Sequence, residues 1–350
     1  MVEVLNLTQK ERWNNLLSLI PDGYTDIYFT PEYYEVYEKN GDGEALCFVF
    51  QRDGKIAMYP FLKNRIPPIY ELEGEYFDIQ GAYGYNGVVS STIDESFISA
   101  FYENFYRYCE ESKIIAEFTR FHPLLENEVF SNNFINVVDD RGTVVLDLLQ
   151  DEDELWKSSY SSNNRNMIRK ALKNNVIVEV ADSEKAYDSF YEIYSETMEN
   201  VDAEDYYFFD KKYFENFRKN LATNHKLLTA IYNEEIICSM LLMYKGDYAH
   251  YHLSGRRRDF SKLAANNLVL HHAINLAKQI GCKKFHFGGG TSSDVKDHLF
   301  RFKAGFSKSI SRFKIGKKVH NQDIYDQVIE SWEMKNPEKK SMNLLLKYRY

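Results

Sequence analysis

Apolar and polar residues near the start of the chain follow first the spacing of a strand and then that of a helix. Residues 2–5 alternate, as a strand with one buried face does. From Trp13, apolar residues recur at i, i+3, i+4 and i+7, one face of a helix, and Thr8–Glu11 before them has the form of a capping box. Thr30-Pro31 begins a second helix, because proline suits the first helical turn, and Gly41 ends it.

The following segments predict a hairpin, a helix and a strand. Two apolar runs within residues 46–62 flank Asp53-Gly54, which is a hairpin signal. A helix with three phenylalanines on one face, at positions 97, 101 and 105, then leads into a strand at residues 114–121.

The second half of the chain repeats this order of elements. A strand at residues 177–180 precedes two helices, a hairpin at residues 227–244, a strand at residues 248–254, a helix and a last strand at residues 283–287. The two hairpins match at an offset of 181 residues and the two first strands at an offset of 176. The pattern therefore predicts two copies of a β-α-α-β-β-β-α-β unit, joined near residues 140–175.

Composition places this tandem unit among globular proteins. The chain has 350 residues, of which 44% are hydrophobic and 27% charged, a size that suggests about two domains. Its four cysteines lie far apart without a CxxC pair, which argues against a zinc site or a disulfide framework. The N-terminus lacks a signal pattern, and no run of about 18 apolar residues occurs. We therefore expect a cytoplasmic protein without integral membrane contact.

Charge is divided unequally between the two halves. Residues 1–150 hold 11 Lys and Arg against 25 Asp and Glu, whereas the chain as a whole has a net charge of −9. The second half is consequently mildly basic, and an anionic ligand would bind there more readily.

Several motifs carry a resemblance to a known family. In the second half they are Arg165–Ala171, Tyr251–Gly255, Ala265–Leu268, Phe287–Gly290 and Leu299–Phe306, and in the first half Gly81–Gly87 and Phe121–Leu125. With the repeated element order, the sequence resembles the FemABX peptidyltransferases and the GNAT-type acyltransferases. The long helical arm of some FemABX members is absent.

The resemblance implies a fold and a division of the chain. We expect an α/β protein with a mixed sheet, built as two tandem GNAT-like acyltransferase domains. Residues 1–141 would form the N-terminal domain on the acceptor side, and residues 142–319 the C-terminal domain on the donor side. Apolar residues at helical spacing after residue 320 predict a C-terminal helix at 320–350, packed on a domain that the sequence does not identify.

The connection from residue 254 to residue 267 is a candidate phosphate site. A strand ends, a basic loop follows, and a helix begins, so that free backbone N–H groups and cations lie together. In GNAT-type folds this turn holds the pyrophosphate of the acyl carrier, but the usual glycine-rich loop is missing here, and a solvated basic loop is the alternative. The candidate cofactor-binding residues are Arg256, Arg257, Arg258, Leu263, Ala264, Asn266 and Asn267, joined by Gly288 and Gly289, whose lack of side chains allows close approach.

Lys303 is the first candidate for catalysis. It lies between two phenylalanines, where free solvation is poor, so it should either extend to solvent or pair with an anion. The matching lysine of the resembling enzymes is linked to activity through the donor or the developing oxyanion. A surface lysine on an amphipathic strand is the alternative.

The strand at residues 248–254 offers further candidates. Strict alternation puts His252 and Ser254 on one face, where both could meet a reacting amine, and Tyr251 on the other face, where we expect it to contact substrate. His250 shares the first face, but no third ligand at suitable spacing appears, so we expect no metal.

Other candidates for substrate binding come from both halves. Tyr83 and Tyr85 lie in a glycine-spaced loop that could present two rings to a sugar or base, or form a plain turn, and Asp78 could orient an amine. Arg165 and Arg169 share a helix face that could meet phosphates or RNA, or be a solvated face.

We expect an N-acyltransferase that moves an acyl group from acyl-CoA, such as acetyl-CoA, to a primary amine by direct attack. The acceptor would be an amino sugar or a nucleotide-linked or lipid-linked cell-envelope precursor, in cell-wall biogenesis of the methicillin-resistance type. Two alternatives stay open. One is a peptidyltransferase that uses aminoacyl-tRNA to build a peptidoglycan bridge, with tRNA as a partner; the other is an inactive binding protein of the same fold.

Overall fold

The structure is a computed structural model that describes residues 1–201 and 203–350. The chain forms two compact units. The first comprises Met1–Asp140 together with Phe313–Tyr350, and the second comprises Arg141–Arg312. The sequence had assigned residues 313–319 to the second domain, whereas in the structure they lie in the first unit.

The elements of the first unit follow the predicted order up to residue 120. They are β1 (Val2–Asn6), α1 (Lys10–Leu17), α2 (Pro31–Asn40), β2 (Glu44–Arg52), β3 (Lys55–Arg65), β4 (Phe77–Gln80), β5 (Val89–Ser90), α3 (Glu95–Glu111) and β6 (Ile114–Arg120).

The next strand, β7, leads the chain into the second unit, and a last strand and helix lead it back into the first unit. The elements are β7 (Asn136–Asp147), α4 (Glu152–Glu154), α5 (Ser162–Lys173), β8 (Ile177–Ala181), α6 (Glu184–Asn200), α7 (Lys211–Asn220), β9 (His225–Tyr232), β10 (Glu235–Lys245), β11 (Tyr248–Arg256), α8 (Ala265–Ile280), β12 (Lys284–Gly288), α9 (His298–Ala304), β13 (Ser309–Val319) and α10 (Gln322–Lys335).

The two units have the same sheet topology. The first orders its main strands β1-β2-β3-β4-β6-β13, and the second orders them β8-β9-β10-β11-β12-β7. In each unit one central pair is parallel, β4 with β6 and β11 with β12, because the helix between the two strands returns the chain to the same end of the sheet. The predicted fold class, a mixed α/β protein with two tandem GNAT-like units, is confirmed.

The last strand of each sheet comes from outside its own repeat. Strand β7 follows the first repeat along the chain, yet its residues 144–147 pair with β12 in the second unit. Strand β13 follows the second repeat, yet its residues 315–319 pair with β6 in the first unit. The strand that follows each repeat in sequence therefore pairs as the last strand of the other repeat.

Local chemistry explains where the helices begin and end. The Thr30 hydroxyl accepts a hydrogen bond from the Tyr33 amide at the start of α2, and Gly41 ends the helix with φ +91°. The predicted capping box at Thr8–Glu11 is wrong. The box is formed by Asn6 and Gln9, because a short 3-10 turn precedes α1.

Two of the first unit's apolar cores hold α3 and the C-terminal helix. Aromatic rings of α3 pack on the sheet in one of them; Phe48 meets Phe101 and Phe105 at centroid distances of 5.5 and 5.2 Å. The other core is built around Trp332 of α10 and Tyr348 near the C-terminus, so the C-terminal helix packs on the first unit, a point that the sequence left open. Among the described helices none is both long and apolar enough to cross a bilayer.

Candidate active site

Strands β11 and β12 of the second unit separate after a short parallel pairing. Only Tyr248–His250 of β11 pair with β12, at Lys284–His286, although β11 continues to Arg256. The remaining half of β11 pairs with β10 alone. Backbone groups along an unpaired strand edge can bind an extended ligand, and this opening is therefore the candidate site.

Glycines form the exit of β12 from the sheet. Gly288 has φ +78°, in the left-handed region that favours glycine, and the pairing of β12 with β7 shifts register just before it. A Cβ at Gly288 would lie 3.4 Å from Lys303 Nζ. These glycines let the backbone turn close to that ammonium group.

The structure buries Lys303 on helix α9, and not on the amphipathic strand considered as an alternative. Its Nζ donates a 2.7 Å hydrogen bond to the Gly289 carbonyl and lies 5.3 Å from the centre of the Tyr251 ring. Burial lowers the pKa of Lys303 to about 7, although the charge of Asp297 partly opposes this change. At neutral pH a lysine with this pKa is present as ammonium and as amine in similar amounts.

Asp297 fixes the helix that carries Lys303, and it was not among the sequence candidates. Its carboxylate accepts a 2.8 Å hydrogen bond from the Phe300 amide as the cap of α9. The same carboxylate accepts hydrogen bonds from the amide and hydroxyl of Thr291, which follows the glycines. An aspartate three residues before an apolar helical segment is a cap signal that could have revealed it.

A β-bulge corrects the predicted faces of β11. Leu241 pairs with Leu253 and Leu242 with Tyr251, so that His252 is the extra residue. The bulge breaks the alternation and places Ser254 with Tyr251, whose hydroxyl is hydrogen-bonded to the Ser254 hydroxyl. The prediction that His252 and Ser254 share one face is therefore wrong.

His252 lies instead against helix α7. Its Nε2 is 3.1 Å from the Tyr213 hydroxyl, and its ring stacks on Phe217 at 5.1 Å. Burial, with the charges of His250 and His225, lowers the pKa of His252 to about 3. This packing suits a structural histidine and not a catalytic base. In contrast, burial raises the pKa of Tyr251 to about 12, so its phenol stays protonated.

The connection from β11 to α8 presents free amides and two exposed cations. Ala264 has φ +58° at the start of α8, and no side chain caps the helix. The first amides of a helix have no partner within it, and they carry the positive end of its dipole. Arg256 and Arg258 are exposed and, within the described residues, form no ion pair.

Other residues of this connection are used by the fold. Arg257 binds Glu192 at 3.1 Å and Glu196 at 3.3 Å on α6, which leaves it less available to a phosphate than predicted. Asn267 is buried and donates to the Asn164 side chain at 3.3 Å. The remaining candidates border the opening: Leu263 packs on the core of the unit, Ala264 makes the left-handed turn, and the Asn266 side chain accepts from the Cys238 thiol.

The two arginines predicted to contact phosphates differ in role. Arg165 donates to the backbone carbonyls of Trp156, Lys157 and Tyr160, so it fixes the π-helical turn before α5. Arg169 lies over the Trp156 ring at 5.3 Å and hydrogen-bonds to Asn166.

Asp78 of the first unit cannot orient an amine as predicted. Its carboxylate is fully buried and accepts hydrogen bonds from the Tyr348 hydroxyl at 2.8 Å and from the Arg349 guanidinium at 2.8 and 3.0 Å. Burial raises the pKa of Asp78, and Arg349 opposes that rise. The carboxylate thus fastens the C-terminal segment.

The glycine-spaced loop with Tyr83 and Tyr85 is held by hydrogen bonds and ring contacts within the first unit. Arg120 donates to the carbonyls of Gly81, Ala82 and Gly84 at 2.8–3.1 Å. The Tyr85 ring packs edge-on against Tyr28 and His122, and the Tyr83 carbonyl accepts from Tyr33. The parallel bridge from Asn86 to Phe121 closes the first unit's counterpart of the opening described above.

Comparisons with known proteins agree with this geometry. Residues 158–304 match the sequence model of the acetyltransferase (GNAT) domain, a stretch within the second unit that ends next to Lys303. No curated protein sequence matches the chain at a significant level.

Solved structures extend the likeness to nearly the whole chain. FemX has a TM-score of 0.68 at 16% identity, over 93% of this chain and 99% of its own. A tandem GNAT protein from the clavulanic acid biosynthesis pathway has a TM-score of 0.53 at 8% identity, over 92% and 99%. L-PGS from Bacillus licheniformis has a TM-score of 0.52 at 12% identity, over 86% of this chain and 94% of its own. At sequence identities this low, the structural likeness shows a shared fold alone.

Fold and matched domain together define the class of protein. Residues 158–304 of the second unit match the acetyltransferase (GNAT) domain, and the chain as a whole has the fold of FemX and of a tandem GNAT protein. The predicted class and the prediction of an acyltransferase are confirmed.

Proposed function

We propose that the chain transfers an acyl group from an acyl-CoA-type thioester to a primary amine of an amino sugar or of a cell-envelope precursor. The observation that carries the proposal is the buried Lys303 ammonium, held between the Gly289 carbonyl and the Tyr251 ring where β11 and β12 separate. The site lies inside the segment that matches the GNAT domain. The likeness to FemX and L-PGS supports an acceptor from the cell envelope.

The donor would lie along the unpaired edge of β11. Its extended arm would pair with the backbone beyond His250, and its phosphates would meet the free amides at the start of α8. Arg256 and Arg258 would add positive charge, whereas Arg257 stays with Glu192 and Glu196. The bulge at His252 directs the linked hydroxyls of Tyr251 and Ser254 together, and these would contact the thioester end.

Lys303 would act on charge that forms during the reaction. The neutral amine attacks the thioester carbonyl carbon, the carbonyl oxygen becomes an oxyanion, and the carbon–sulfur bond breaks to release the thiolate. A buried ammonium stabilises an oxyanion more strongly than an exposed one does, because little water screens it. In our proposal the protonated form of Lys303 does this, and the thiolate and the amine's proton leave to solvent.

Release of free thiol from acetyl-CoA tests the proposal directly. The purified chain would be given acetyl-CoA with amino sugars, such as glucosamine, and with nucleotide-linked amino-sugar and muropeptide amines, and the thiol would be followed with a colour reagent. We expect amine-dependent release that falls by about 100-fold or more in Lys303→Met, as for loss of one oxyanion donor. Lys308→Met, also in the second unit, is the matched control. Release that no amine increases would contradict the proposal.

One observation favours aminoacyl-tRNA as a second candidate donor. The turn before α8 exposes three cations, Arg256, Arg258 and Lys262, which is more than a single pyrophosphate needs. The turn also has no glycine after Gly255, so it lacks the glycine-rich loop that usually holds a pyrophosphate. RNA binding would weaken steeply with salt, because each phosphate contact releases counterions. If charged tRNA binds at low salt while acetyl-CoA gives no thermal shift and no thiol, the donor is aminoacyl-tRNA.

A further inference from the structure

A cavity of about 780 Å³ lies in the first unit and shares none of its lining elements with the candidate active site. Its wall is made by the end of α3, the start of β6 and the end of β13. Two residues of chemical interest belong to that wall, Cys109 and His320. Directly behind them on β6 lies Glu117, which is fully buried.

These three side chains converge. The Cys109 thiol, a Glu117 carboxylate oxygen and a His320 ring nitrogen all lie within 4.8 Å of one another. His320 Nε2 is 2.9 Å from Glu117 Oε2, a contact across 203 positions of sequence. Their spacing along the chain gives no metal-binding motif, because strand exchange brings together residues that are far apart in sequence.

One carboxylate oxygen of Glu117 is buried without a hydrogen-bond partner. Its Oε2 faces His320, but its Oε1 is buried without a hydrogen bond. A buried carboxylate oxygen without a partner is unfavourable, because it has lost its hydration and gained nothing.

The tyrosines around Glu117 do not supply the missing hydrogen bond. The Tyr59 hydroxyl is 2.7 Å from the Thr119 hydroxyl, and Tyr102 donates to Ser131 at 2.7 Å. Tyr106 donates to the Phe134 carbonyl. The carboxylate thus lies among phenols that are engaged elsewhere.

We propose that Cys109, Glu117 and His320 bind a divalent transition metal of the zinc class, whose fourth position is open to the cavity. A thiolate, an imidazole and a carboxylate are all zinc ligands, and bond lengths of 2.0 to 2.3 Å place tetrahedral ligands about 3–4 Å apart. Side-chain shifts of about 1 Å would close the present cluster onto an ion. The metal would give Glu117 a partner and deprotonate the thiol.

Cobalt titration of the full-length chain tests this site. After removal of bound metal with a chelator, Co²⁺ is added and the thiolate-to-cobalt charge-transfer band is recorded, followed by displacement with Zn²⁺. We expect one Co²⁺ per chain and a band that Zn²⁺ removes. Cys109→Ser should abolish the band, and His320→Gln should weaken binding by about 10- to 100-fold or more. Cys47→Ser, which removes another buried thiol of the same unit, should change neither.

Two results would overturn the proposal. One is the absence of a charge-transfer band in the wild-type chain, and the other is a band of equal intensity in Cys109→Ser. His320→Gln keeps the test decisive if the serine variant fails to fold, since this side chain lies at the cavity wall; unchanged Co²⁺ affinity in a folded His320→Gln variant also contradicts the site. None of these readouts depends on acyl transfer, so they stand apart from the proposed function.

Discussion

Lys303 donates its hydrogen bond to the carbonyl oxygen of Gly289 and, within the described residues, forms no ion pair. A buried cation without a carboxylate partner is unfavourable for the fold. Its position at the opening between β11 and β12 indicates that function, and not stability, accounts for it.

Replacement of Lys303 by methionine should separate activity from stability. The methionine keeps most of the volume and removes the buried charge, so we expect amine-dependent thiol release to fall by about 100-fold or more while the melting temperature stays equal or rises. Calorimetry and the thiol assay on one preparation measure both. Unchanged turnover, or a melting temperature that falls by several degrees, would show that the lysine serves the fold.

The stability of the chain should rise with pH in a window set by Lys303. Its folded pKa of about 7 lies below the usual lysine pKa of 10.5, so between these pH values the unfolded chain binds the proton and the folded chain does not. Between pH 7 and 9 the wild type should therefore gain up to about 2 kcal/mol relative to Lys303→Met. Urea unfolding of both proteins at the two pH values measures the difference. If the free energy of unfolding changed equally with pH in both proteins, the lowered pKa of Lys303 would be refuted.

The proposed role of Lys303 also predicts the pH dependence of the reaction. If its protonated form stabilises the oxyanion, kcat/KM should fall as pH rises through about 7, on a limb that Lys303→Arg removes because arginine stays charged. A limb that rises through the same pH, with an inactive arginine variant, would indicate a general base instead.

The contact between Asp78 and Arg349 should contribute much of the attachment of the C-terminal segment. Arg349→Ala leaves a buried carboxylate with Tyr348 alone, and loss of one partner of a buried pair costs about 3–5 kcal/mol. Asp78→Asn in the same chain should restore part of that loss. Arg65→Ala, which removes an exposed pair with Glu75, is the control and should cost at most about 1 kcal/mol. Urea midpoints that are equal for both arginine variants would contradict this account.

Gly255 should tolerate no side chain, although its backbone is not left-handed. A Cβ there would lie 2.7 Å from the Ile193 carbonyl oxygen, so Gly255→Ala must push β11 away from α6, at a cost of about 1–3 kcal/mol. Gly23→Ala, where nothing lies within 4 Å, should be nearly neutral. Thermal unfolding compares the two variants. Equal melting temperatures would mean that α6 moves away from β11 at no measurable cost in stability.

Sequence patterns were sufficient for the repeat and its elements because these depend on local spacing. The hairpins, the cap at Thr30 and the helix that ends with Gly41 all follow from neighbours in the chain. The observed parallel pairs, β4 with β6 and β11 with β12, are consistent with the order of elements, because a helix separates the two strands of each pair.

Features that depend on distant residues could not be predicted in this way. The bulge at His252 reverses the face of Ser254, and one inserted residue in a strand leaves no local signature. Asp78 meets Arg349 across 271 positions, and Glu117 meets His320 across 203. The phenylalanine neighbours of Lys303 indicated poor solvation, but neither its burial against the Gly289 carbonyl nor its helix was predicted.

The exchange of β7 and β13 between the repeats has a consequence during synthesis on the ribosome. The sheet that begins with Val2 receives its last strand only when Ile315–Val319 have been made, nearly 200 residues after β6. Pairing at such separation is slow, and an unfilled sheet edge exposed meanwhile can pair with other chains. The amino-terminal repeat must therefore wait, incomplete, until the whole second repeat and the strand after it have been translated.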